Sequence, residues 1–300
     1  MLGERKSVIL SILLALSVSL DLAVAGSPPA SAQAAKTTPR VNLTAAQIVD
    51  KHIAARGGLS AWRAVQTMSL SGKMDAGSGE SQARAMRVAR RARAPVGNAV
   101  LTPAVATADK AETDKQVQLP FALQIKRPNQ SRLEIEFAGK TAIQVYDGTQ
   151  GWKVRPFLNR DTVEPFTAQE AKAAADTDDM IEALVDYAAK GTRVELEGVE
   201  PVAGHDCYKL KLTMKGDRIR HVWIDAQNFL DVKVEGTPRR MDGRMRDVWV
   251  YQRDFRPVQG VQMPFLLETA VDGYPGSHKM VIEKVAVNPK LDDALFTKPK

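Results

Sequence analysis

From residue 118 onward, apolar and polar side chains alternate with a period of two, interrupted at short intervals by turn residues. In the run Ser131 to Phe137, Leu133, Ile135 and Phe137 alternate with Arg132, Glu134 and Glu136. Tyr208, Leu210 and Leu212 alternate with Lys209, Lys211 and Thr213, and Met245, Asp247, Trp249 and Tyr251 with Arg246, Val248 and Val250. Asp147-Gly148, Lys215-Gly216-Asp217, Pro238, Asp242-Gly243 and Asp272-Gly273 separate such runs as turns. With a further run from Thr67 to Met74, the pattern predicts about eleven strands. One greasy and one polar face per strand means an antiparallel sheet covered on one side only. Helices must supply the cover.

Thr44-Ala45-Ala46-Gln47 is a capping-box pattern. It opens a helix whose apolar stripe is Ile48, Val49, His52 and Ile53 and which Gly57-Gly58 stops. A short helical turn from Ser60 to Val65 carries Trp62. Thr167-Ala168-Gln169-Glu170 repeats the capping box, and Thr177-Asp178-Asp179 puts acidic residues at the start of a further helix. Met180, Ile181, Leu184, Val185 and Tyr187 form the apolar face of that helix, ended by Gly191, and make it the candidate lid. Two or three helices against so many strands exclude a doubly wound α/β fold. The chain is mainly β, of α+β type: a curved sheet with a helical lid.

Residues 75–116 break the periodicity and read as a long loop inserted between two strands. Arg84, Arg87, Arg90, Arg91 and Arg93 make it basic, within a chain of formal charge +7. No aromatic residue is interleaved for base stacking, so nucleic acid is not the expected partner. A solvated loop, or transient contact with an anionic membrane surface or with envelope transport proteins, fits better.

The N-terminus reads as an address. Arg5 and Lys6 precede an apolar run from Val8 to Leu20, followed by Ala23-Val24-Ala25 and Ala30-Ser31-Ala32. This is the order of a secretory signal peptide. The run is short for about 30 Å of hydrocarbon, and Asp21 ends it. Residues 1–32 are therefore expected to be removed, leaving a single domain, 33–300, exported to the periplasm as a monomer.

Motifs for chemistry are missing. Cys207 is the single cysteine, so no internal disulfide can form. His52, His205, His221 and His278 stand far apart, without metal-ligand spacing. His205-Asp206-Cys207 sit side by side, where a strand points neighbours to opposite faces. There is no nucleophile elbow, P-loop or dinucleotide fingerprint. No enzyme, cofactor or metal is expected.

Several short motifs then stand in one order. Lys126-Arg127-Pro128-Asn129 joins two strands, and Asp147-Gly148, Trp152 and Pro156-Phe157 follow. Ala55-Arg56-Gly57-Gly58-Leu59, Leu184-Val185-Asp186-Tyr187 and the ending Val287-Asn288-Pro289 with Leu295-Phe296 complete the set. Over residues 43–299 the succession resembles the periplasmic outer-membrane lipoprotein carrier family (LolA-like proteins). The resemblance implies an unclosed antiparallel β-barrel of about eleven strands under a helical lid, with a cavity for the acyl chains of a lipoprotein or for a free lipid. It implies a lid-latching role for Arg127 and positions near the cavity for Trp152 and Phe157. Ser131 replaces an aromatic of the carriers, and the 75–116 insertion has no counterpart there. With Leu133, Ile135, Phe137 and Val145 as the other expected lining, the chain reads as a carrier or chaperone for hydrocarbon. A non-transporting envelope sensor or scaffold on the same fold is the alternative.

Overall fold

The computed structural model describes residues 43–75, 117–156, 160–175, 182–241, 243–274 and 276–300. The leader, the five arginines from Arg84 to Arg93, Phe157, Asp178, Asp179, Met180 and Ile181 lie outside the described residues.

The strands are β1 (Thr67–Asp75), β2 (Gln118–Lys126), β3 (Gln130–Phe137), β4 (Lys140–Tyr146), β5 (Gly151–Arg155), β6 (Arg160–Pro165), β7 (Arg193–Val202), β8 (His205–Met214), β9 (Arg218–Asp225), β10 (Asp231–Glu235), β11 (Arg239–Met241), β12 (Arg244–Arg246), β13 (Val248–Val258), β14 (Val261–Val271) and β15 (Ser277–Val287). Thirteen of them build one antiparallel sheet in the order β6-β5-β4-β3-β2-β1-β15-β14-β13-β10-β9-β8-β7, and β11 and β12 form a separate hairpin. The sheet therefore has two more strands than the periodicity suggests, and it stays open, with β6 and β7 as its edges. Both edges carry charges, Arg160, Asp161 and Glu164 on one and Glu195 and Glu197 on the other, which discourages pairing with another chain.

Two meanders meet at a seam. β1 pairs with β2 on one side and with β15 on the other, so the first and last strands of the sheet lie together at its centre. The insertion connects β1 to β2, whose register runs from Thr67↔Lys126 to Asp75↔Gln118. At the seam, the register shifts between Ser71 and Gly72. A Cβ on Gly72 would stand 2.0 Å from the Val281 carbonyl oxygen, which is why this bulge requires glycine.

Three α-helices are present among the described residues: α1 (Ala45–Ala55), α2 (Leu59–Ala64) and α3 (Ala168–Ala175). The expected capping box opens α1, with Gln47 N–H donating to Thr44 Oγ1 at 3.2 Å and Thr44 N–H to Gln47 Oε1 at 2.9 Å. Ile48 and Val49 pack on Leu210, Leu212 and Ile224 of β8 and β9. Trp62 of α2 joins Met68, Leu123 and Ile125. The second capping box opens α3, where Glu170 also receives the buried Lys153 ammonium at 2.5 Å and so ties the helix to β5.

The lid helix expected over Met180–Tyr187 is, from Glu182 to Gly191, a succession of hydrogen-bonded turns. Asp186 takes a left-handed φ of 53°, which no α-helix continues through, and its carboxylate grips Arg63 of α2 at 2.6–3.1 Å. Leu184 and Val185 are nevertheless buried and Tyr187 half-buried. The alternating run through Met245 also divides: Met245 is exposed on β12, Asp247 lies between strands, and Val248 begins β13.

Gly72→Ala should lower stability by about 1–3 kcal/mol, read as a lower urea midpoint with an unchanged slope.

Candidate functional site: an apolar cavity under an ion-paired cap

The inward side chains of β1, β2, β13, β14 and β15 do not fill the space they enclose. Met68 and Leu70, Leu123 and Ile125, Met263 and Leu267, and Met280 and Ile282 line a cavity of about 170 Å³. Its far end is bounded by Val234 to Thr237 and Arg239. For comparison, an apolar cavity of about 150 Å³ stays dry and accepts benzene.

A charged cluster holds the cap beside this cavity. Gly57 makes the position possible: a Cβ there would lie 2.2 Å from the Gly260 carbonyl oxygen, so only glycine lets the end of α1 press on the β13–β14 turn. Arg56, 2% exposed, thereby reaches inward. Its guanidinium bonds to Asp231 of β10, lies 3.1 Å from Glu182 Oε2, and donates through Nε to the Gln262 carbonyl at 3.0 Å. It also stacks over Trp62 and Phe255, at 5.1 and 5.3 Å from the ring centres.

His52 completes the cluster. Its Nδ1 lies 2.9 Å from the Phe229 carbonyl oxygen and its Nε2 3.3 Å from Glu182 Oε1. Both neighbours only accept, so both ring nitrogens donate and the ring is an imidazolium. Burial works against that charge, but Asp231 and Glu182 outweigh it and push the His52 pKa above its ordinary 6.5. Burial likewise opposes ionisation of Glu182, yet Arg56, helped by His52, holds its carboxyl below the usual range. Two cations face two carboxylates, and the cluster is neutral.

The residues expected to line the cavity are divided by the sheet. Leu123 pairs with Leu133 and Phe121 with Ile135, so Leu133, Ile135 and Phe137 share the inner face of β3. Val145 pairs instead with Arg132, and Trp152 with Val145, which puts Val145 and Trp152 on the opposite face. None of the five lines the 170 Å³ cavity. Ile135 is core, while Leu133 borders a void of about 20 Å³ beside Phe166, Ala173 and Ala174, where α3 covers the sheet; Val145 is fully buried on the other face. Arg127 is half-buried and donates from Nη1 to the Trp62 carbonyl at 3.2 Å. It thus ties β2 to α2.

The sequence reading missed the actual lining and the cluster. Alternation in Met68-Ser69-Leu70 and Phe121-Ala122-Leu123 marked inward faces, but not which faces stay unfilled. His52, Arg56, Glu182 and Asp231 are too far apart in sequence to be grouped without the fold. The Cys207 thiol is buried, and burial together with Asp225 and Asp206 pushes its pKa up to about 12, which leaves no thiolate at neutral pH. Among the described residues no group of His, Cys, Asp and Glu has the arrangement of a metal site.

No family model matches the sequence, and no curated protein matches it. Solved structures do match in fold. A LolA superfamily protein from Nitrosomonas europaea superposes with a TM-score of 0.50 at 13% identity, over 85% of this chain and 98% of its own. A DUF1329 family protein from Desulfovibrio piger gives 0.51 at 12% identity, over 85% and 97%. The chain has a LolA-like fold.

Arg56→Met should destabilise the protein by about 3–5 kcal/mol at neutral pH, because it strands two buried carboxylates. Because its folded pKa is raised, the stability from His52 is full below pH 6.5 and lost as pH rises through the folded value. Melting midpoints should therefore fall on the alkaline side, and His52→Asn should flatten that branch.

Proposed function

We propose that this LolA-like chain carries hydrocarbon: the acyl chains of a lipoprotein or a free lipid, taken up into the cavity between β1, β2, β13, β14 and β15. The observation that carries the reading is the cavity itself, about 170 Å³ and mostly apolar in its lining. A core optimised only for stability closes such space, since each unfilled volume forfeits packing. Here three methionines, Met68, Met263 and Met280, stand around it. Their unbranched, polarizable side chains repack around guests of different length. An acyl chain brings a driving force of about 0.8 kcal/mol per buried methylene.

The cap divides into a fixed and a releasable part. Arg56 anchors α1 to β10 through buried ion pairs, which are costly to break singly. Arg127 joins β2 to α2 by one half-buried hydrogen bond, worth about 1 kcal/mol or somewhat more. Arg127 is the latch in this reading: opening of α2 over Met68 and Ile125 admits the guest, and the bond to the Trp62 carbonyl reforms on release. Export to the periplasm is part of the proposal, supported by the charge, apolar run and small-residue sites of residues 1–32. No helix among the described residues is long and apolar enough to cross a membrane.

Native mass spectrometry of protein purified from a membrane-containing extract tests the proposal. The wild type should retain lipid or lipopeptide, and Met263→Trp, which fills the cavity, should lose it while keeping a cooperative melt. A wild-type protein that arrives empty and takes up nothing on incubation with lipid overturns the reading. Arg127→Leu should slow release to acceptor vesicles, because the closed, empty state loses its tie.

A further inference from the structure

Two arginines border the cavity, and only one is matched. Arg56 has its two carboxylates. Arg239, on β11, is paired through its backbone with Arg246 on β12, but its side chain has no hydrogen bond or ion pair among the described residues, although it is partly buried. Burial alone pushes its pKa down to about 10, so it remains a cation at neutral pH. Glu235 borders the same cavity but is taken up by His221, whose backbone N–H and Nδ1 lie 2.8 and 2.7 Å from its Oε2.

The sheet becomes polar toward Arg239. Gln252, Leu267, Met280 and Met74 stand side by side across β13, β14, β15 and β1, on the inner face. The next rung on that face is Val234, Val250, Thr269 and His278. Thr269 is 1% exposed, and neither its Oγ1 nor His278 Nδ1 has a hydrogen-bond partner among the described residues. Burial and the charge on Arg239 push the His278 pKa down, leaving a neutral ring that can donate one N–H. The Asp75 carboxylate acts in the opposite sense on His278, with its Oδ2 already accepting the Lys279 N–H at 2.8 Å. An unmatched guanidinium thus marks one end of the cavity, and two unsatisfied polar atoms lie one rung beyond its lining residues Leu267 and Met280, where native proteins rarely leave such groups unpaired.

We propose that Arg239, with His278 and Thr269, binds the anionic head of an amphiphile whose hydrocarbon chain lies in the cavity. The guanidinium fork suits the two oxygens of a carboxylate or a phosphate. Hydrogen bonds from the Thr269 hydroxyl and the His278 ring would supply the remaining contacts. Both a fatty acid and a single-chain phospholipid offer this chemistry; an uncharged lipid does not. The inference rests on the reading of the cavity as a hydrocarbon site and adds the class of molecule it selects.

Displacement of an apolar fluorescent dye from the full chain tests it, with oleate, oleoyl lysophosphatidate and oleyl alcohol as probes below their micelle concentrations. The wild type should bind at least one of the two anions about ten-fold more tightly than the alcohol, and the tighter anion identifies the source. Arg239→Gln should remove that preference without weakening the alcohol. Arg239→Lys should keep part of it, and Arg244→Gln, exposed on the same hairpin, should keep all of it. Equal binding of all three probes by the wild type, or a preference that survives Arg239→Gln, overturns the head-group site and leaves the hydrocarbon reading standing. A wild type that binds none of the three overturns both.

Discussion

An arginine cannot shed its charge when water is removed, so a buried guanidinium dictates what surrounds it. Arg56 is the residue on which this constraint falls. To satisfy it, Asp231 must approach from β10, Glu182 from the turns that precede β7, and the Gln262 carbonyl from β14. Three parts of the chain, remote in sequence, are thereby fixed against the end of α1. His52 one turn earlier supplies the second cation that balances the two acids. Replacement of such a cluster by apolar side chains of similar volume is often tolerated energetically. Its contribution here is position: it decides where the cap sits on the sheet.

The position of the cap explains why space is left beneath it. α1 fills the inner face over β8 and β9 with Ile48 and Val49, and α3 covers β3 to β5 with Phe166 and Ala174 nearby. Between these two covered regions, among the described residues, Leu59, Ala61, Trp62, Val65 and Val185 reach down onto β1, β2, β14 and β15. An open sheet of thirteen strands has more inner surface than the three short helices of the described residues can cover. The uncovered middle becomes the cavity.

Much of this architecture was legible as periodicity. Leu133, Ile135 and Phe137 lie on one face because a strand alternates, and both capping boxes open the helices they mark. Legibility ended where register begins. A period of two groups residues within a strand, but it cannot say which side of the sheet a neighbouring strand presents. Val145 and Trp152 therefore fell on the wrong face although each is apolar. The apolar face from Met180 onward had helical spacing, but Asp186 breaks it by turning its carboxylate to Arg63, a partner 123 residues away. The cluster around Arg56 and the unmatched Arg239 are likewise products of distant pairing. Local pattern carries no trace of them.

The seam between β1 and β15 has a consequence for how the molecule comes into being. Thr67 Oγ1 donates to the Pro289 carbonyl across 222 residues, and every rung of this central pairing spans a similar loop. Contacts of such separation must await the whole chain and make for slow assembly. The walls of the greasy hollow cannot meet until the C-terminal strand has been delivered. During its synthesis the chain would expose both walls for longest, and they are the surfaces that a chaperone would encounter first.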